Sequence, residues 1–483
     1  MKTINRLLCL FILFCFSNGT AQNPAREQMI LNQWIGEIPP HTGIGVYLQD
    51  ARTGNVLASN NPQLSLVPAS TLKLLTTATA LEVLGPYYTF ETKLAYSGEI
   101  RNDSLLGNLI ITGGGDPALG STYFRKNYLE PHFLDKWVVS MQNLNIRHIA
   151  GDIMTDATIY EEQTIPNTWI WEDMGNYYGA GASGLSVYDN LYEIHLFSPA
   201  EEGKPTRITG TVPVIPGLKF ENQVLSSNIQ RDQAYVFGSP IDEKRIMRGT
   251  IPKNRADFVI KASIPNPPYL LGSQLKDKLE AKGVVVDGQV KAKKHDEETL
   301  LPTVLATTVS PPLIEIIGVT NHESVNLFAE HLLKQLALYN TGWGTTEAGT
   351  AFIAGFWKEK GLDTAGLFLA DGSGLSRFNA VSPKFMVDLL YYMKHKSLYG
   401  EQFFSTLPGA PNGTLWYFRA ENFPNNSLRA KSGSMTRVRC FAGTLKTQSG
   451  QEILFSVFMN NFSGSAANAT RKIEDLLVKL SVM

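Results

Sequence analysis

The sequence is poor in the residues that build disulfide scaffolds, metal centres and nucleic-acid surfaces. Its 483 residues include three cysteines and eight histidines, and 43 basic residues are balanced by 44 acidic ones. This balance provides no basic face for nucleic acid. No His-Glu-x-x-His motif or paired-cysteine pattern indicates a metal site. We therefore expect no nucleic-acid partner, no metal and no other cofactor.

Long hydrophobic runs are also scarce, and the exception lies at the N-terminus. Leu7–Phe16 is an apolar run of ten residues that follows two basic residues and precedes Gly19-Thr20-Ala21. A membrane span needs about 20 apolar residues, whereas this arrangement is typical of a signal peptide. We predict that residues 1–21 are removed and that the protein is exported to the periplasm or cell envelope. The mature chain would have no transmembrane segment and would keep Cys440 as its only thiol.

The order of strand and helix signals predicts an α+β protein in which one domain is split by an insert. Residues 22–88 contain a short helix, a hairpin and a second helix, and form the first part of the split domain. Residues 89–294 change to short strands and Gly or Pro turns, and we predict a β-rich α/β insert of two domains, one nested in the other. Residues 295–483 return to helices, then strands and a final helix. Strand signals at both ends predict one sheet made from the two termini.

Two helix-then-strand segments echo each other within the insert. One helix near 129–144 leads into Ile149–Ile153, and another near 273–281 leads into Gly283–Gly288. The echo is consistent with a weak internal repeat and equally with an ordinary α/β insert.

Ser70-Thr71-Leu72-Lys73 is a Ser-x-x-Lys motif at the start of a predicted helix. Residues three apart share a helix face, so the amine of Lys73 can reach the Ser70 hydroxyl as the base that a serine nucleophile needs. Lys73 is the only charge in an apolar stretch, and burial shifts the pKa of a lysine towards that of a base. A plain N-cap is the alternative for Ser70. The same pattern at Ser273–Lys276 is expected to cap a charged surface helix.

Ser-x-Asn occurs three times, beginning at Ser59, Ser226 and Ser324. The first lies at the end of a hairpin strand and the second in a polar part of the insert. The third, Ser324-Val325-Asn326, opens a helix predicted to be amphipathic. Both side chains can enter one site from a helix entrance, although an N-cap role is the more common explanation for a lone Ser324.

Lys431-Ser432-Gly433 lies in a candidate strand, 428–435, and is the only Lys-[Ser/Thr]-Gly motif. A lysine, a hydroxyl and a glycine suit a strand edge that receives a substrate carboxylate while its backbone pairs with the substrate.

In this order the three motifs resemble those of the penicillin-recognising serine enzymes. The 254 residues from Ser70 to Ser324, and the Asp371-Gly372-Ser373-Gly374 turn that follows, are similar to the D-alanyl-D-alanine carboxypeptidase/endopeptidase family, the class C low-molecular-mass penicillin-binding proteins. The resemblance covers essentially the whole mature chain. It implies a penicillin-binding-protein or β-lactamase-like transpeptidase domain: an antiparallel sheet flanked by helices, with a helical subdomain.

The resemblance implies a serine-type D-Ala-D-Ala carboxypeptidase that acts on peptidoglycan stem peptides and leaves an additional DD-endopeptidase activity open. Ser70 would attack the penultimate D-Ala carbonyl, with Lys73 accepting its proton. Ser324 would relay a proton to the leaving amine, and Asn326 would hold the donor peptide's amide. β-Lactam antibiotics would acylate Ser70 and act as covalent inhibitors.

The same resemblance assigns the strand motif to substrate binding. Lys431 and Ser432 would bind the terminal carboxylate while Gly433 lets the backbones approach. The backbone N–H groups of Ser70 and Ser434 would form the oxyanion hole.

Four further residues match family positions that contact the charged end of the stem peptide's diamino acid. They are Asp173, Tyr178, Arg377 and Met435. A loop acid, a packing aromatic and a structural salt bridge are the alternatives for the first three.

Two other functions remain open from the sequence. A β-lactamase-like hydrolase would use the same motifs but deacylate rapidly. A non-catalytic peptidoglycan-binding protein would keep the fold and use the insert as an adaptor.

Overall fold

The computed structural model describes residues 25–124, 132–295, 297 and 302–483, so the predicted signal peptide lies outside it. The helices are α1 (Arg26–Gly36), α2 (Lys73–Leu84), α3 (Phe133–Asn143), α4 (Trp171–Met174), α5 (Pro267–Ala281), α6 (Leu313–His322), α7 (Asn326–Thr341), α8 (Thr346–Glu359), α9 (Pro383–His395), α10 (Gly400–Ser405) and α11 (Ala466–Ser481). The strands are β1 (Gly43–Asp50), β2 (Val56–Asn60), β3 (Glu91–Tyr96), β4 (Glu99–Arg101), β5 (Ser104–Leu106), β6 (Leu109–Thr112), β7 (His148–Ile149), β8 (Ile153–Asp156), β9 (Leu191–Ser198), β10 (Arg207–Val212), β11 (Lys219–Ser227), β12 (Tyr235–Phe237), β13 (Lys244–Pro252), β14 (Arg255–Ser263), β15 (Val285–Val286), β16 (Val290–Ala292), β17 (Thr303–Val309), β18 (Leu428–Met435), β19 (Val438–Lys446) and β20 (Glu452–Asn460). Within these residues no helix is long and apolar enough to cross a membrane.

The two ends of the chain form one five-stranded antiparallel sheet in the order β18-β19-β20-β1-β2. β1 pairs with β20 along its whole length, from Gly43 opposite Asn460 to Asp50 opposite Ile453. This pairing confirms the prediction that both termini contribute to one sheet. It also places the Lys-Ser-Gly motif on an edge strand. On the outer side, Leu428 and Ala430 bond to the 408–410 segment, whereas the backbone from Lys431 onward has no partner strand there among the described residues and can pair with a peptide.

Both faces of this sheet are covered, which explains why β20 is buried along almost its entire length. On one face α1 and α11 pack together, and the indole Nε1 of Trp34 donates to the Lys472 carbonyl at 2.6 Å. On the other face lies the largest apolar cluster, which contains α2 and residues of α6 to α10. A helix start that projects from this cluster towards the sheet edge can therefore carry side chains to β18.

The insert contains four small sheets. They have the orders β16-β8-β6-β3-β17, β15-β7-β5-β4, β10-β9-β14 and β11-β13-β12. β17 pairs antiparallel with β3, so the sheet of the insert reaches Val309, beyond the predicted boundary at 294. The division into domains at residues 21, 88 and 294 stays a prediction.

The helix-then-strand echo corresponds to neighbouring parallel strands. β15 lies parallel to β7, and β16 lies parallel to β8. β5 lies parallel to β7, and β6 lies parallel to β8, so each ladder continues to a third strand. A glycine connects the consecutive strands β7 and β8, and another connects β15 and β16. A Cβ at Gly151 or Gly288 would collide with the backbone of the preceding connection. The echo is thus a structural repeat whose close stacking requires glycine.

The insert packs directly on α7, which begins with Asn326. The predicted helix is present, but every residue from Leu327 to Ala337 is buried, so the polar side that an amphipathic pattern assigns to solvent is covered here. The insert covers the face that would otherwise meet water, and buried polar groups join the two parts. These contacts are Lys334 Nζ to Glu161 Oε1 (3.2 Å) and to the Gln163 carbonyl (2.9 Å), His331 Nε2 to Ser186 Oγ (2.8 Å), and Tyr160 Oη to Gln335 Oε1 (2.8 Å).

Candidate active site

Ser70 lies in a 3-10 turn, Ala69–Leu72, immediately before α2. No side chain caps α2, so the N-cap alternative for Ser70 is wrong. The non-glycine residue Ala69 has a φ of 47°, a conformation that persists only where surrounding structure enforces it. Two glycines provide that constraint, because a Cβ at Gly433 would collide with the Pro68 carbonyl and one at Gly374 would collide with that of Ala69. The turn is thus held between β18 and the Asp-Gly-Ser-Gly turn.

The amine of Lys73 is the hub of the site. It is fully buried and donates to Ser70 Oγ at 3.0 Å, to Asn326 Oδ1 at 2.6 Å and to the Ser373 carbonyl at 2.7 Å. Burial lowers the pKa of Lys73 to about 7, although the carboxyl groups of Asp371 and Glu330 oppose this shift. At neutral pH a large fraction of Lys73 is therefore uncharged and able to accept a proton from Ser70.

Ser324 and Lys431 form a second hydroxyl and amine pair. Ser324 has a φ of 62° and caps no helix, because the N-cap of α7 is Val325, so the N-cap explanation is wrong here as well. Its Oγ accepts from the fully buried Lys431 Nζ at 2.8 Å, and the same amine donates to the Ser432 carbonyl at 2.9 Å. Burial, reinforced by the nearby Lys73, holds the pKa of Lys431 well below its usual range.

A cavity of about 670 Å³ opens above these groups. Nine of the twelve predicted site residues line it: Ser70, Asp173, Tyr178, Ser324, Asn326, Arg377, Ser432, Ser434 and Met435. The other three lie beneath its surface, where the lysine amines bond to lining serines and Gly433 backs the turn of Ser70. The structure therefore brings every predicted site residue to one cavity.

The second Ser-x-x-Lys motif is elsewhere. Ser273 lies inside α5, whose N-cap is Asn266, with Oδ1 accepting from the Tyr269 N–H at 3.0 Å. The expectation that Ser273 caps this helix is therefore wrong. Lys276 donates to the Gly288 carbonyl at 2.9 Å instead of to the serine.

The insert supplies one wall of the cavity. Asp173 is 9% exposed, and burial raises its pKa to about 6 with a smaller contribution from Glu172, while the Tyr178 hydroxyl and Arg377 oppose the shift. Burial raises the pKa of Tyr178 as well. The Tyr178 carbonyl accepts from Asn326 Nδ2 at 2.8 Å, which ties this wall to the Ser-x-Asn motif.

Sequence reasoning missed the groups that hold the Asp-Gly-Ser-Gly turn in place. Asp371 accepts from the Trp169 indole at 2.9 Å, the Gly374 N–H at 2.8 Å and the Ser376 N–H at 2.6 Å. Glu330, fully buried on α7, accepts from the Ser373 N–H at 2.8 Å. Burial and the nearby Asp371 raise the pKa of Glu330. The signal in the sequence was Glu330, an acidic residue within a largely apolar helix. Interpreting that helix as amphipathic places Glu330 on its solvent face.

A buried amine beside a serine on a strained turn, with a second hydroxyl and amine pair facing the same cavity, defines a serine enzyme of the acyl-transfer type. The antiparallel sheet, the helices on both faces and the large insert define its structural class, a penicillin-binding-protein-like peptidase.

Comparison with known proteins identifies the family within that class. Residues 31–481 match the D-Ala-D-Ala carboxypeptidase 3 (S13) family, and the chain belongs to it. The predictions of family, fold class and serine D-Ala-D-Ala carboxypeptidase activity are thereby confirmed.

Individual relatives are similar over most of their length. A D-alanyl-D-alanine carboxypeptidase of Actinomadura sp. (strain R39) is 29% identical over 440 residues, 88% of this chain and 79% of the relative. The carboxypeptidase DacB of Haemophilus influenzae is 24% identical over 445 residues, 90% of this chain and 89% of the relative. The crystal structure of penicillin binding protein 4 from H. influenzae superimposes with a TM-score of 0.79 at 22% identity and covers 93% of this chain and 98% of that one.

Proposed function

We propose that the protein removes the terminal D-Ala from peptidoglycan stem peptides through an acyl-enzyme on Ser70. The supporting observation is the buried Lys73 amine, 3.0 Å from Ser70 Oγ, with a pKa of about 7. Neutral Lys73 accepts the Ser70 proton as Oγ attacks the penultimate D-Ala carbonyl. Water then releases the shortened peptide from the acyl-enzyme.

Ser324 relays the proton to the leaving amine in this proposal, and Asn326 holds the donor peptide's amide. The 2.8 Å contact between Ser324 Oγ and Lys431 Nζ supports the relay, because it orients the hydroxyl and keeps a proton donor next to it. The backbone N–H groups of Ser70 and Ser434 stabilise the oxyanion.

The substrate lies along β18 with its terminal carboxylate at Ser432, near Lys431, and Gly433 permits the close approach of the two backbones. The outer edge of β18 from Lys431 onward, which has no partner strand among the described residues, supports this placement. A β-lactam follows the same route, and its ring-opened acyl group stays on Ser70.

Asp173, Tyr178, Arg377 and Met435 form the proposed subsite for the charged end of the stem peptide's diamino acid. All four line the cavity, and Tyr178 and Arg377 lie close enough to Asp173 to affect its pKa, which supports this assignment. The Asp173 carboxylate suits an ammonium group, and Arg377 suits a carboxylate.

We further propose that residues 1–21 are a leader and that the protein works outside the cytoplasm, where peptidoglycan is. N-terminal sequencing of the exported protein tests this: a mature chain that starts at Gln22 supports it, and an uncleaved Met1 contradicts it.

The central experiment compares the two Ser-x-x-Lys motifs. Purified wild type, Ser70→Ala and Ser273→Ala are incubated with a fluorescent penicillin and, separately, with a stem pentapeptide whose D-Ala release is measured. We expect Ser70→Ala to lose both reactions, since removing a serine nucleophile costs about 10⁴-fold or more, while Ser273→Ala keeps both. Labelling that survives Ser70→Ala would exclude this nucleophile.

Two further readouts separate the alternatives. A penicillin adduct that persists for hours distinguishes a penicillin-binding peptidase from a β-lactamase. Mass spectrometry of digested muropeptides distinguishes loss of a terminal D-Ala from cleavage of cross-linked dimers, which is the endopeptidase reaction. A wild-type protein that folds and binds peptidoglycan but releases no D-Ala would be a non-catalytic binder.

A further inference from the structure

Arg439 lines the same cavity as Ser70 and Ser324 but belongs to none of the three motifs. It lies on β19 directly opposite Ser434 of β18. Side chains of directly opposed residues in an antiparallel pair project from the same face of the sheet. Accordingly, Arg439 Nη1 donates to Ser434 Oγ. The sheet therefore places a guanidinium group beside the strand along which the proposed substrate binds.

The orientation of this guanidinium is constrained on two sides. Nε donates to Thr470 Oγ1 of α11 at 3.1 Å, and Nη1 also donates to the Val438 carbonyl at 3.2 Å. Nη2 has no hydrogen-bond partner within the described ranges, and no Asp or Glu among those residues lies within 4 Å of the group. The neighbours in the cavity are neutral hydroxyl groups, those of Ser434, Ser432 and Tyr417.

Among the described residues, no acidic side chain balances the charge of Arg439. Burial lowers the pKa of Arg439, which indicates a cation that has lost part of its hydration without gaining a counter-ion. An arginine nevertheless stays protonated in proteins. The hydroxyls of Ser432 and Ser434 and the planar guanidinium of Arg439 are suited to bind a carboxylate, because a guanidinium donates directed, charge-assisted hydrogen bonds to it.

The two lysines of the site are less suited to supply this charge. Lys73 and Lys431 are both fully buried, and each disfavours the charged form of the other. The Lys431 amine already donates to Ser324 Oγ and the Ser432 carbonyl. A substrate carboxylate bound next to Lys73 and Lys431 therefore requires a cation whose charge does not depend on whether these lysines are protonated.

We propose that Arg439 is a specificity-determining residue that binds the terminal carboxylate of the peptide together with Ser432 and Ser434. This inference rests on the proposed function, in which the substrate ends in D-Ala along β18. Arg439 supplies the permanent positive charge of the subsite, and Lys431 mainly serves the hydroxyl of Ser324.

The test compares two peptides that differ only at the C-terminus, an acyl-D-Ala-D-Ala peptide with a free carboxylate and the same peptide as its carboxamide. For each protein, kcat/KM is measured for both, and the acid-to-amide ratio is calculated. We expect Arg439→Gln to lower this ratio about 10- to 100-fold through loss of reaction with the acid, since a hydrogen bond to a charged group is worth roughly that factor. Arg439→Lys, which keeps the charge and loses the fork, should lie between Arg439→Gln and wild type.

Arg437→Gln is the matched control. Arg437 is an exposed residue of the same β-hairpin, it does not line the cavity, and its substitution removes the same charge. An unchanged ratio in Arg439→Gln, an equal loss with both peptides, or the same change in Arg437→Gln would overturn the assignment. Failure of wild type to release D-Ala from the acid peptide would instead contradict the proposed function. Should Arg439→Gln fail to fold, the ratio measured with Arg439→Lys decides: a clear decrease supports the proposal, and a wild-type ratio contradicts it.

Discussion

The floor and the wall of the cavity are built differently. The floor consists of Ser70, Lys73, Ser324, Asn326 and Lys431, which come from the starts of two helices, the turns before them and an edge strand. They form two groups, each held by hydrogen bonds of 2.6 to 3.0 Å. The wall consists of Asp173, Tyr178 and Arg377, which lie on short helical turns and an exposed loop. Regular elements orient reacting groups more rigidly than loops do, so the floor suits chemistry and the wall suits selection among substrates.

The wall is nevertheless held in place from behind. Lys334, His331 and Gln335 of α7 bond to the insert in a buried polar layer, and Asn326 at the start of the same helix bonds to the Tyr178 carbonyl. One helix thus carries part of the floor and anchors the wall.

The largest expected effect separates two buried lysines that have different tasks. Lys73→Met should lower the penicillin acylation rate about 10³-fold, because the proposed base is lost. It should also lower the stability, since Asn326 Oδ1 and the Ser373 carbonyl lose a buried donor. Lys334→Met should leave the acylation rate of the folded protein unchanged, while it breaks the buried contact with Glu161 and costs about 3 kcal/mol of stability. Stopped-flow acylation and thermal unfolding of both variants measure the two effects.

Similar losses of acylation in both lysine variants, measured on folded protein, would contradict the assignment of Lys73 to the chemistry of the floor and of Lys334 to holding the wall in place.

The second expected effect is a pH dependence of the floor alone. Because burial lowers the pKa of Lys73 from 10.5 to about 7, its neutral, proton-accepting form is lost below pH 7 and dominates above it. The acylation rate should therefore rise about tenfold per pH unit up to about pH 7 and then level off. Acylation measured between about pH 5 and pH 9, with circular dichroism as a check on folding, tests this. A rate that keeps climbing towards pH 10 would indicate a lysine with an ordinary pKa.

The smallest expected effect concerns the wall. Asp173→Asn should lower kcat/KM about fivefold for a stem peptide whose diamino acid carries a free amine, because a partly screened ion pair contributes modestly. The same peptide with that amine acetylated should react equally with both proteins. In wild type the preference should fade below about pH 6, where Asp173 becomes protonated. Equal losses on both peptides would instead indicate a structural role for Asp173.

The sequence predicted the floor almost completely. Each of its residues belongs to a short motif in which the chemistry requires particular residue types at particular spacings, and Ser70 and Lys73 are close through local helical geometry alone. The hairpin β1–β2 and the final strands and helix were equally predictable, because alternation and turn residues are local signals.

The errors arose where tertiary packing changes the meaning of a local pattern. Helix α7 has the spacing of an amphipathic helix, yet the insert covers its polar face, so Glu330 is buried at the site instead of facing solvent. β17 joins the sheet of the insert because β3 offers it a partner more than 200 residues earlier in the chain. Neither fact leaves a trace in local composition.

By itself the sequence determined the chemistry of this protein: a serine, its lysine, a second hydroxyl and amine, and the order in which they occur. Only the tertiary structure decided the pKa values and the relative positions of the charged groups that carry out this chemistry. The pKa of Lys73 depends on burial by segments distant in the sequence, and the nearness of Lys431 and Arg439 to the proposed substrate depends on strand pairing. Burial and pairing are properties of the folded chain, because they come into existence only when remote segments meet.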